Sequence, residues 1–264
     1  MSTGSPQAAV APSAGELVSA TVKLARSFGV RCDDPTVLRD RANLIVHLAP
    51  APVVARIPFQ LNRFRDDVLG GQRIEVAVTG HLAAHGLPVI APLRDIAPGP
   101  HTVLDRHVTF WPYVAKLDER PEPTAVRDSL TAIHRALSTL SIDLTGRGPA
   151  RDIIGALGRI PLSAPRQAAI RAELDSLLEV LASAPTQPLH GDPHTGNVYL
   201  TAMGLRWTDF EDIWCGPVEW DEACLMTGRT PLRPAPRHDR HPEVLSACLS
   251  LRRLQADMWS ACTG

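Results

Sequence analysis

Lysine is nearly missing from this 264-residue chain: of its 27 Lys and Arg residues only two, Lys23 and Lys116, are lysines. Cysteine is sparse too. Its five copies (Cys32, Cys215, Cys224, Cys248, Cys262) are odd in number and never form C-x-x-C. That argues against a disulfide framework and a cysteine-built zinc site, and it fits a reducing, cytoplasmic setting. No run is long and apolar enough to span a membrane, and the start, MSTGSPQAAVAPSAG, lacks the basic and apolar stretches of a signal peptide. With a net charge of −1 there is no strong field to favour nucleic acid or an anionic membrane as a partner. No G-x-x-x-x-G-K-[ST] occurs, which excludes a P-loop, and no G-x-G-x-x-G precedes the strand-like ANLIVHL. The 44% hydrophobic content supplies one large core or two lobes.

Residues 1–14 read as a flexible tail, followed by an amphipathic helix to about Phe28 with Leu17, Val18, Val22, Leu24 and Ala25 on its apolar stripe. NLIVHLAP and PVVARIPF form a hairpin about a proline turn, Gln72–His85 a helix stopped by Gly86, and His101–Val114 a second hairpin. After Pro121 the texture becomes helical. Thr124 is placed to cap a helix carrying Val126, Leu130, Ile133, Leu137 and Leu140. Further helices cover about Ala164–Ala184 and Pro242–Ala261, and RTPLRPAPRHDRHP before the last reads as a loop, a candidate lid. The expectation is α+β and bilobal. Residues 15–114 make a small antiparallel β-sheet lobe with one inserted helix, residues 115–264 make a larger, mainly helical lobe, and a cleft lies between them.

One stretch concentrates the chemistry: LHGDPHTGNVYL, Leu189–Leu200. His190, Asp192 and His194 have the look of an H-x-D-x-H metal cluster, the basis of a zinc-hydrolase reading. The alternative uses the hairpin that follows, VYLTAMGLRWTDF. Its antiparallel return brings Asp209 within about one strand spacing, ~5 Å, of Asn197. An amide oxygen and a carboxylate converging there make an oxygen-only site, suited to magnesium bridging phosphates rather than to zinc. Asp192, across the loop, is placed to accept a hydroxyl proton, and these three residues supply what phosphoryl transfer needs.

HGDPHTGN followed by WTDFEDIWCGPVEWDEA resembles the aminoglycoside phosphotransferase and choline kinase-like family, distant relatives of protein kinases. The resemblance covers roughly Asn43 to Ala223. It implies a protein-kinase-like fold, ATP or GTP with Mg2+ as cofactors, and a small-molecule hydroxyl, an antibiotic such as an aminoglycoside among the options, as acceptor. It implies that Asp192 is the catalytic aspartate, that Asn197 and Asp209 bind metal, and that Asp221 supports the His190 loop from the next helix. VVARI resembles the strand that presents a phosphate-binding lysine, here Arg56, whose planar fork keeps the charge. Glu75 would pair with it. The glycine-free LRDRANL stands where the phosphate lid belongs, with Asn43 contributing, and Trp111–Val114, Trp111 and Tyr113 above all, where the hinge meets the nucleobase.

His190 reads as a loop-stabilising residue. Glu211, Asp212 and Glu219, with Glu222, Trp214 and Trp220, are candidates for an acidic, aromatic-walled pocket for a cationic polyol. About forty residues follow Asp221, fewer than such families usually carry, so the acceptor site is expected to be open, completed by a second subunit, or degenerate. A pseudokinase-like module that binds nucleotide without turnover is the remaining alternative, favoured by Arg56 and this short end. The oligomeric state is open.

Overall fold

The computed structural model describes residues 11–61, 64–228, 230–233 and 241–263. Ser13 caps the first helix, α1 (Ala14–Ser27), through a reciprocal capping box with Glu16. The expected tail therefore ends earlier than residue 14, and residues 1–10 lie outside the description.

Five strands make one antiparallel sheet: β1 (Cys32–Asp40), β2 (Asn43–Pro50), β3 (Val53–Pro58), β4 (His101–Val103) and β5 (Arg106–Pro112), in the order β1-β2-β3-β5-β4. Alternation decides which side chain faces where. Leu44, Val46, Leu48, Val53, Ala55 and Ile57 bury one face against Leu17, Val22 and Ala25 of α1. Ile45, Val54, Arg56 and Trp111 are paired or diagonal neighbours on the opposite face and line a cavity. Helix α2 (Val68–Ala84) is inserted after β3.

The remaining chain is mainly helical: α3 (Pro123–Leu137), α4 (Pro149–Leu157), α5 (Ala164–Leu181), α6 (Val218–Thr227) and α7 (Pro242–Thr263). Between α5 and α6 lie β6 (Gln187–Leu189), the β7–β8 hairpin (Val198–Thr201, Gly204–Trp207) and β9 (Trp214–Gly216), which returns to pair with β6. One core joins α4 to α7 through Ile153, Ile170, Leu174, Trp220, Cys248 and Leu251. Another joins α2 and α3 to the hairpin through Val78, Leu82, Ile133, Trp207 and Phe210.

Three elements were not expected: β1, α4 and the β6–β9 pair. The cap of α3 also differs. Glu122 stands at the cap position with Pro123 in the first turn, so Thr124 is inside the helix. Of the expected lid segment, residues 229 and 234–240 lie outside the described residues.

Candidate active site

Residues 190–197 form the loop between β6 and β7, and it is held from below. Asp221, in the first turn of α6 and fully buried, accepts the backbone N–H groups of His190 and Gly191 at 3.0 Å each and bonds His134 Nε2 at 2.7 Å. Trp220 Nε1 donates to the Gly191 carbonyl at 2.7 Å. Gly191 has φ +91°, and a Cβ there would stand 1.9 Å from the Asp212 carbonyl oxygen, so the loop can pass only as glycine. His190 is buried, stacked on Phe210 at 4.2 Å with Trp207 edge-on at 5.3 Å. Asn197 donates its Nδ2 to the Asp192 carbonyl at 3.0 Å, which leaves its amide oxygen for other use.

The hairpin brings in the second half of the site. Val198 faces Trp207 in register, and Thr208 N–H donates to the Asn197 carbonyl at 3.0 Å, so the chain leaves β8 beside Asn197. Asp209 then takes a left-handed conformation, φ +70°, which aspartate tolerates better than most residues. Arg56 reaches it from β3. Its Nη2 lies 2.6 Å from Asp209 Oδ1 and 2.9 Å from Glu211 Oε2, while its Nη1 lies 2.6 Å from Glu75 Oε1. Glu75 Oε1 also accepts the Phe210 N–H at 3.1 Å, and Asn43 Nδ2 donates to Glu211 at 3.3 Å.

One buried guanidinium thus serves three carboxylates, and they respond differently. Burial pushes Glu75 up to about 8 and Glu211 to about 7, with Arg56 pulling against it. At Asp209 burial also opposes ionisation, but Arg56 outweighs it and holds the carboxyl below its ordinary value. Asp192 is pushed up to about 7 by burial, against the pull of Arg252 from α7, which forms an ion pair with its Oδ1.

Two cavities meet at these residues. One, of about 460 Å³, has Ile45, Val54, Trp111 and Tyr199 as apolar walls and Asn43, Arg56 and Asp209 at its inner end. Tyr113 lines its mouth, where its ring stacks on His47 at 4.0 Å and its N–H is used by the Pro52 carbonyl at 2.8 Å. The other, of about 600 Å³, holds Asn43, Asp192, Asn197, Asp209, Glu211 and Asp212. Glu75 stands behind Arg56, and His190 and Asp221 stand behind the loop.

Asn197 and Asp209 suit a hard divalent cation: with the Asn197 amide nitrogen and Asp209 Oδ1 engaged elsewhere, one oxygen of each is left. His190 turns its ring into the aromatic core, and among the described residues no group of three His, Cys, Asp or Glu side chains forms a metal cluster. The geometry does not assemble the H-x-D-x-H cluster.

Of the candidate acceptor residues, Glu211, Asp212, Trp214 and Trp220 line one cavity of about 190 Å³, and the acidic ones already have partners. Glu211 is bonded to Arg56, Asp212 to Arg65, and Glu219, 4% exposed, accepts the His241 N–H at 3.3 Å. Glu222 pairs with Arg127, and Trp220 is wholly buried. Sequence reading missed Arg39, Lys116 (its Nζ 3.4 Å above the Tyr199 ring) and a face of α7 that lines the larger cavity, Arg252, Gln255, Ala256 and Trp259. The only signal for that face was its i, i+3, i+4, i+7 spacing.

A small sheet with an inserted helix, above a helical part that carries the loop and hairpin of the site, defines a bilobal protein-kinase-like fold. The chain belongs to the phosphotransferase enzyme family (APH), whose model matches residues 36–241. No curated protein matches it in sequence. Among solved structures it is similar to choline kinase LicA from Streptococcus pneumoniae, at 15% identity and TM-score 0.67 over 92% of this chain and 89% of that one. It is also similar to an aminoglycoside-3'-phosphotransferase of type VIII, at 15% identity and TM-score 0.54 over 94% and 98%. A third is amicoumacin kinase hAmiN in complex with AMP-PNP, Ca2+ and Ami, at 16% identity and TM-score 0.56 over 89% and 77%.

Proposed function

We propose that the protein transfers the γ-phosphoryl group of ATP or GTP to a hydroxyl group of a small molecule. The observation that carries this reading is the junction of the two cavities, where Asp192, Asn197 and Asp209 converge in front of Arg56. The smaller cavity takes the nucleoside, with Trp111 and Tyr113 at the base and Asn43 and Arg56 at the phosphates. The larger takes the acceptor, whose hydroxyl donates to Asp192 as it attacks. Asn197 and Asp209 hold magnesium, which when bound neutralises charge on the phosphates. Glu75 keeps Arg56 in place. Residues 15–114 then serve as the nucleotide lobe and 115–264 as the catalytic and acceptor lobe. The family and the AMP-PNP-bound neighbour support this assignment.

A second reading, nucleotide binding without turnover, draws on one observation: both terminal nitrogens of Arg56 are already engaged by carboxylates. Mg2+-dependent formation of ADP separates the two. Asp192→Asn is expected to lose turnover, by 100-fold or more on the usual scale of general-base catalysis, while nucleotide affinity stays within a few-fold. Turnover that survives the substitution removes Asp192 from the chemistry.

A further inference from the structure

The larger cavity has a wall that the reaction as described leaves unused. Arg252, Gln255, Ala256 and Trp259 lie along one face of α7, while Cys248, Leu251, Leu254 and Met258 pack its other side into the core. Arg252 is fixed at the catalytic loop: Nη2 pairs with Asp192 Oδ1, and Nη1 donates to Gln255 Oε1 at 2.9 Å. Gln255 is anchored in turn by Asp152 at 3.2 Å. Any hydroxyl that reaches Asp192 brings its neighbouring atoms against this guanidinium.

The carboxylates of the cavity are all in ion pairs, Asp192 with Arg252, Asp209 and Glu211 with Arg56, and Asp212 with Arg65. Across from α7, at the β1–β2 turn, Arg41 is exposed and makes no ion pair among the described residues. Arg41 lines the larger cavity and not the smaller, on the side of the junction away from the nucleobase walls. Among these charges and the polar Gln60 and His194 the wall has an apolar patch, with Leu61, and Phe64 edge-on to Trp259 at 4.8 Å.

We propose that the acceptor is an acid: a hydroxyl compound whose carboxylate or phosphate group is bound by Arg252 and Arg41, and whose apolar body lies against Phe64 and Trp259. Arginine suits this role because its fork meets an oxyanion bidentately and stays charged. A cationic amine beside the hydroxyl would meet a guanidinium and no unpaired carboxylate. The inference rests on the phosphotransferase reading and goes beyond it by naming the charge of the substrate.

The test uses Mg·ATP and a deproteinised extract of bacterial cells, with ADP formation above the extract-free rate as the readout. Before assay the extract is stripped on a cation exchanger, on an anion exchanger, or on neither. Stimulation should survive the cation exchanger, vanish after the anion exchanger and return with its eluate. Arg252→Gln should then raise the half-saturating amount of that eluate tenfold or more with the half-saturating Mg·ATP unchanged, and Arg41→Gln, in the stretch that also stands at the phosphate lid, should raise it whether or not Mg·ATP affinity moves with it. Stimulation that survives the anion exchanger, that is lost on the cation exchanger or that no fraction produces overturns the inference. So does a loss of Mg·ATP affinity in Arg252→Gln, or an effect of Arg41→Gln on Mg·ATP alone. Failure of the phosphotransferase reading itself would look different, as no Mg2+-dependent nucleotide binding by the unaltered protein.

Discussion

Arg56 is the residue on which the site depends most. It is one buried cation among Glu75, Asp209 and Glu211, so removing it takes the shared cation from three carboxylates. Arg56→Met should cost about 3–5 kcal/mol in denaturant unfolding, the usual penalty for breaking a buried pair from one side. Arg56→Lys should recover part of that, because a point charge cannot reproduce a fork serving several oxygens. His194 gives the pH-dependent prediction. Burial lowers it from 6.5 to about 4, so between those values the folded protein binds fewer protons at this site than the unfolded chain. Stability must therefore fall as pH drops from about 6.5 towards 4 and gain nothing from this residue above that window. The difference between the unaltered protein and His194→Gln, followed by thermal unfolding from pH 4 to 7, should show that slope. No pH dependence in the difference would place His194 in solvent.

At the scale of elements, the loop and the hairpin are precise because other elements hold them. Asp221 ties α6 to two loop N–H groups and to His134 of α3. Asp221→Ala should cost about 3 kcal/mol or more, since each buried donor left unmet costs roughly 1–3 kcal/mol. It should also loosen residues 190–197 in hydrogen exchange before other parts of the molecule. Much of this level was legible in the sequence. The β2–β3 and β7–β8 hairpins announce themselves by β-rich runs about a proline or a glycine, and Asn197 and Asp209 follow from the second. β1 was not legible: CDDPTVLRD is an exposed edge strand with no buried alternation to betray it. Nor were Arg252 and Arg65, whose partners Asp192 and Asp212 lie 60 and 147 residues away, a distance no local pattern encodes. The partners of Glu211 and Asp212 were hidden for the same reason, because their arginines arrive from β3 and from before α2.

For the whole molecule, the sheet packs on α1 in one core while α2, inserted after β3, joins the core of the helical part, and the substrates are expected to meet at the junction of the two cavities. Occupying that junction should stabilise both parts together. The measurement that tests this most directly is thermal unfolding with ATP or GTP, each with Mg2+ and with EDTA. A nucleotide at a hundred times its dissociation constant adds about 2.7 kcal/mol to the folded state. The site described here predicts a clear rise in Tm with at least one Mg·nucleotide, diminished by EDTA and by Asp209→Asn. No rise with either nucleotide, or an equal rise in EDTA, would contradict it.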